Sequence, residues 1–167
     1  LGTLSVHKAF IRRLAAFVPK GVTPIVTTDA GFKVPWFKLI EQRGWYWLGR
    51  ARGRTHIKVN GQWSTTRELF SHATVKAQYL GQGDLTKSNT IPCQVILYQK
   101  RYKGRKDKTL NGDSRRSGPS REYAKGQREP WLLVTNLPEA EWFAERVVAL
   151  YTQRMQIEEG FRDTKNE

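Results

Sequence analysis

The segment from Gly21 to Arg52 constrains the fold most. GVTPIVTTD, residues 21–29, is short, carries several β-branched residues and ends on an acid, which is the pattern of a strand. Pro24 has no N–H to give to a ladder, so it is tolerated only near the start of such a strand or on a sheet edge. AGFKVPWFKLIEQRG follows, in which Pro35 suits the first turn of a short helix and Gly44 its C-terminal cap. WYWLGRAR, residues 45–52, reads as a second strand. Strand, helix and strand within roughly thirty residues predict a parallel crossover, because parallel neighbours need a long connection that a helix supplies. The expected fold class is α/β.

The flanks differ in texture. Residues 4–18, LSVHKAFIRRLAAFV, predict an amphipathic helix with Val6, Phe10, Leu14, Phe17 and Val18 at helical spacing, ended by Pro19. From Gly53 to about Gln99 the chain turns to short strands and turn signals. Asn60-Gly61 inside HIKVNGQW marks a hairpin, and VKAQYL and TIPCQVILYQK are further strand candidates. Residues 100–128 hold eleven Lys or Arg against three acids, with four glycines and a proline. They read as a mobile basic loop, either a solvated linker or an arm that tracks phosphates. WLLVTNL, residues 131–137, returns to strand character, and a long helix is expected from about Glu139. An α/β domain interrupted by a β-rich, basic insertion is the economical description.

Charge narrows the function. Lys plus Arg is 29 against 15 acids, a net charge of +14. Such a balance favours a polyanionic partner, with nucleic acid the leading candidate. No apolar run approaches the roughly 18 residues needed to span a bilayer. The single cysteine, Cys93, lies in the apolar run PCQVILY and reads as a buried thiol in a reducing compartment. His7, His56 and His72 show no metal-ligand spacing, and one cysteine excludes a zinc-finger cluster.

The most specific chemistry lies in YTQRMQIEEGFRDTK, residues 151–165. Tyr151, Arg154, Glu158 and Lys165 fall within an arc of roughly 60° on a helix turning about 100° per residue. A solvated charged face, with Arg154 and Glu158 paired, is one explanation. The other is a site. Phosphoryl transfer on DNA commonly uses two divalent metals held by carboxylates from separate elements. Asp29, closing a strand, and Glu158, on a later helix, meet that requirement.

TDAGFKVPWF, GWYWLGRARG, LTKSNTIPCQVILY, EPWLLVTNLP and YTQRMQIEEGFRD together resemble the bacterial DDE transposases of the insertion-sequence-four family, above all the transposon-ten type. The likeness covers most of the chain and thins over residues 54–80 and 102–128. That family carries a Tyr-x2-Arg-x3-Glu-x6-Lys signature, and Tyr151, Arg154, Glu158 and Lys165 match all four positions. The resemblance implies an RNase H-like fold with a β-rich insertion: residues 1–53 carrying the second catalytic aspartate, 54–130 the insertion, and 131–167 the helix with the catalytic glutamate. It implies that Asp29 and Glu158 are catalytic and ligate metal, with two Mg2+ or Mn2+ ions in the complete protein. It assigns DNA contacts to Tyr151, Arg154, Lys165 and Arg50. Trp131 is either a ring that stacks on or wedges beside a flipped base, or a core tryptophan.

The implied reaction is cleavage at a transposon end, hairpin formation, and strand transfer to target DNA by a homodimer, in a bacterial, cytoplasmic and nucleoid-associated setting. One feature departs from the pattern: no Asp or Glu precedes Asp29, where the family places its first aspartate. The chain starts at Leu1 and its only methionine is Met155. Both observations lead to the expectation of a middle piece of a transposase, inactive alone. The rival readings are a non-catalytic basic nucleic-acid-binding module and an RNase H-like nuclease without strand transfer.

Overall fold

A computed structural model describes residues 2–101, 111, 118 and 128–163, with residues 155–163 described by backbone alone. The expected crossover is present. Strand β1 (Ile25–Thr27), helix α2 (Val34–Glu41) and strand β2 (Tyr46–Ala51) follow helix α1 (Leu4–Phe17). β1 and β2 run parallel, with Val26 opposite Trp47. Pro24 lies just before β1, and β1 lies at one edge of the sheet, the setting in which a missing N–H is tolerated. Pro35 falls in the first turn of α2, and Gly44 takes the left-handed φ of 70° just past its end.

Strands β3 (His56–Val59) and β4 (Gln62–Thr65) form the hairpin that Asn60-Gly61 predicts. Both turn residues have positive φ, 51° and 80°, as a two-residue hairpin turn matched to strand twist requires. Helix α3 (Thr66–Phe70), strands β5 (Gln78–Leu85), β6 (Ile91–Tyr98) and β7 (Trp131–Thr135), and helix α4 (Phe143–Asp163) complete the described elements. All seven strands join one sheet in the order β1-β2-β7-β6-β5-β3-β4, parallel only between β1 and β2. The β-rich segment therefore extends the sheet that carries the crossover.

β7 shows why its sequence is apolar at nearly every position. It lies inside the sheet with both faces covered, and all five of its residues are buried. Leu132 and Val134 face a core with Trp36, Phe37, Ile40 and Trp47 from α2 and β2. Trp131 and Leu133 face the opposite core, with Leu48, Ile96, Phe143, Val147 and Tyr151. Past the end of β7, Asn136 clips β2 from the side, accepting from Trp47 N at 2.7 Å and donating to the Trp45 carbonyl at 3.2 Å.

Three local expectations change. The long helix starts at Phe143 rather than Glu139, because Trp142 takes a positive φ of 56° that no helix interior accommodates. α3 was not expected, although its start is a capping box in which Thr65 and Glu68 satisfy each other's backbone N–H. α1 buries Ile11 rather than the anticipated stripe: Val6, Phe10 and Phe17 are exposed. Its contact runs to α2, where His7 and Phe10 approach the Trp36 ring at 5.0 and 6.0 Å.

Candidate functional site

Asp29 sits two residues beyond β1, in a turn that its own side chain closes. Gly31 N donates to Asp29 Oδ1 at 2.9 Å, the side-chain turn that makes Asp common at such positions. Thr28 N bonds to the Leu48 carbonyl at 2.8 Å and so ties the turn to β2. The carboxylate itself is half exposed, and its Oδ2 lies 3.9 Å from Arg154 Nη2 on α4. That ion pair brings the strand end and the signature helix together.

Arg154 lies over the face of Tyr151, with its guanidinium carbon 5.8 Å from the ring centroid. Tyr151 is only 1% exposed. It meets Trp131 edge-on at 5.0 Å, and Trp131 in turn meets Tyr98 at 5.8 Å. Trp131 is 5% exposed. Of the two roles weighed for it, this placement is that of a core tryptophan, the support on which Tyr151 rests.

Arg50 projects from β2 on the same side as α4. Its Nη2 donates to Glu129 Oε2 at 3.3 Å and to the Pro130 carbonyl at 3.2 Å. Tyr151 lies close enough to favour its charged form. Burial pushes the guanidinium pKa below its usual value, and the Tyr151 and Glu129 oxygens oppose that shift. The group stays charged, because a guanidinium is not deprotonated in proteins. Arg50 is thus a bracket joining β2, the residues before β7, and α4.

Asp29, Arg50, Tyr151 and Arg154 line one open cavity of about 530 Å³, together with Ala30, Gly31, Arg52 and Gly53. Four of the residues named from sequence therefore converge. Arg52 and Glu129 were not named. Arg52 could have been found, because it follows Arg50 at the two-residue period of a strand face. Glu129, 79 positions from Arg50, had no local signal. Glu158 lies in α4 one turn beyond Arg154, and its side chain is outside the described residues, as is Lys165 entirely.

Chemically, the cavity sets three arginines around one half-exposed carboxylate. A hard oxygen ligand such as Asp29 suits Mg2+ or Mn2+. Among the described residues no group of three or more His, Cys, Asp or Glu side chains is placed to hold a metal ion. Arginines fit phosphates. Among the described residues no helix is long and apolar enough to cross a membrane.

A mixed sheet covered by helices, with an acid just past its parallel strand facing an arginine of the last helix, defines an α/β domain with an arginine-lined cavity around one carboxylate. The chain belongs to the transposase DDE domain family, which matches residues 5–167. Membership implies an RNase H-like fold and a role in transposition, and transposases of this kind typically use divalent metal ions. No curated protein matches the chain.

Proposed function

We propose that the chain contributes part of the catalytic centre of a cut-and-paste DNA transposase of the insertion-sequence-four, transposon-ten type. Asp29 and Glu158 are the two metal-holding carboxylates it supplies. The observation that carries this reading is the 3.9 Å approach of Asp29 to Arg154. It sets the face of α4 that bears the signature against the end of β1. Glu158 follows Arg154 by four residues, so it belongs to the same helix face.

Divalent ions, when bound, supply Lewis-acid stabilisation of the attacking and leaving oxygens of a phosphodiester. The chain's own side chains do the rest. Arg154 and Arg52 attract and orient the scissile phosphate, Arg50 holds Tyr151 and the strand end in register, and Lys165 extends the DNA contact along α4. The complete protein then cleaves the end, forms and opens a hairpin, and joins the freed 3′ end to target DNA as a homodimer, in the bacterial cytoplasm. Residues 54–130 act as the insertion between the two catalytic segments. Residues 1–28 hold no Asp or Glu, so the carboxylates this reading assigns to the chain are Asp29 and Glu158.

Manganese binding followed by electron paramagnetic resonance tests the pairing. The unmutated chain binds Mn2+, and Asp29→Asn and Glu158→Gln each weaken binding, with no further loss in the double variant. Independent, additive losses would show that the two carboxylates do not share a site. Duplex binding without any Mn2+ binding would favour the non-catalytic module.

A further inference from the structure

Glu129 is the acid that meets both Arg50 in β2 and Arg52 just past its end. One oxygen, Oε2, accepts from Arg50 Nη2 at 3.3 Å and from Arg52 Nε at 2.5 Å. The two guanidiniums converge on this one oxygen, where their like charges repel. The two guanidiniums differ in what they can still do. Arg50 is 13% exposed and bound to Glu129 and to the Pro130 carbonyl. Arg52 is 50% exposed. Among the described residues it meets its partner through Nε alone, while its side chain lines the 530 Å³ cavity beside Asp29 and Arg154. A guanidinium held by Nε keeps its two terminal amino groups for a second, bidentate partner, and the geometry of that fork matches a phosphate.

We propose that Glu129 is a positioning residue for DNA: it separates the work of the two arginines, fixing Arg50 as a structural bracket and aiming the fork of Arg52 at a backbone phosphate in the Asp29 cavity. The inference rests on the DNA reading given above and extends it to a residue that carries the wrong charge for a DNA contact. That charge makes the idea testable by sign. For a chain of net charge +14, removing an acid should by simple electrostatics tighten binding to a polyanion. Removing a positioning residue should weaken it.

The test measures affinity for a short duplex of arbitrary sequence across a salt series by fluorescence anisotropy. Arg52→Ala is expected to lower affinity and to make the slope of log affinity against log salt shallower by about one phosphate contact. Glu129→Ala is expected to do the same, and to add nothing in the Arg52→Ala background. Glu129→Asp keeps the charge but shortens the reach, and it too is expected to weaken binding while the chain stays folded by circular dichroism. This variant carries the test if Glu129→Ala fails to fold. Tighter binding by Glu129→Ala, unchanged binding by Glu129→Asp, or equal losses from Glu129→Ala with and without Arg52 would overturn the proposal. A parent chain that binds duplex while Arg52→Ala changes nothing overturns this inference alone. A parent chain that binds no duplex even at low salt overturns the DNA reading and this inference with it.

Discussion

Tyr151 joins the core to the site, and its two ends do different work. The ring is 1% exposed against Trp131, and the residue's polar end favours the Arg50 charge. Removing only the hydroxyl, in Tyr151→Phe, is expected to cost about 1 kcal/mol or less, since it removes a polar group that favours the buried Arg50 charge. Tyr151→Ala removes the ring as well and is expected to cost about 3–5 kcal/mol, as large aromatic truncations do. Urea unfolding of both variants separates the two, and equal losses would place the ring outside the core. Cys93 gives a second residue-scale expectation. Burial pushes its thiol up to about 12, with the Asp84 and Glu41 charges adding to the shift. Its folded pKa lies above the unfolded value, so the stability it contributes is full below about pH 9 and is lost as pH rises toward 12. The thiol should resist alkylation at pH 8 until the chain unfolds, and Cys93→Ala should flatten the alkaline loss of stability. Rapid labelling of the native chain would contradict the burial. At this scale Tyr151 and Arg154 share a helix face by spacing and Asp29 closes a strand, while Arg50 was named through the family resemblance alone. Glu129 was not legible, because an ion pair across 79 positions leaves no trace in local spacing.

The crossover element is what presents Asp29, and its packing depends on a missing side chain. Gly49 lies in β2 under α2. A Cβ there would come within 2.6 Å of Phe37 Cζ and 3.4 Å of Thr28 Oγ1. Phe37 cannot easily retreat, since its ring stacks on Trp47 at 4.3 Å. Gly49→Ala must therefore lift α2 or tilt Phe37, at an expected cost of about 1–3 kcal/mol for an overpacked core. Thr28 precedes Asp29 directly, so the same change should weaken Mn2+ binding more than Ser64→Ala on the remote β3–β4 hairpin. Thermal unfolding and the resonance titration together check this, and wild-type values in both would show that the contact relaxes freely. At this scale the sequence was most readable where a single rule decides, as in the parallel crossover and the Asn60-Gly61 turn. It was least readable where distant strands choose partners. Nothing in QYLGQGDL or IPCQVILY states that β6 pairs with β7. α3 went unseen because five residues are too few for a helical period to show, although its capping box was present in Thr65 and Glu68.

At the scale of the molecule, the excess charge and the site are connected by the backbone. Residues 102–110, 112–117 and 119–127 of the basic stretch lie outside the described residues, but the two stems beside them do not. Tyr98 pairs with Trp131 at the end of the β6–β7 ladder. Gln99 N bonds to the Thr74 carbonyl, and Gln99 Nε2 reaches the Arg128 carbonyl at 3.1 Å. The stretch thus leaves and rejoins the sheet at neighbouring points, one residue from Glu129 and so beside the Arg50–Arg52 wall of the cavity. A short Gly-Ser bridge can replace residues 102–127 without pulling the stems apart. That replacement removes five of the fourteen net positive charges. If the stretch tracks DNA phosphates, each lost contact should lower the slope of log affinity against log salt by about 0.9. A drop of several units is then expected, with Mn2+ binding at Asp29 and the unfolding midpoint unchanged. A linker role predicts the opposite pattern: an unaltered slope, because charges that do not meet phosphates release no counterions on binding. The comparison is cleanest beside Arg52→Ala. That variant removes one contact within the cavity, so its slope change should be a fraction of the one produced by the replaced stretch, and the two changes should add because they concern separate phosphates.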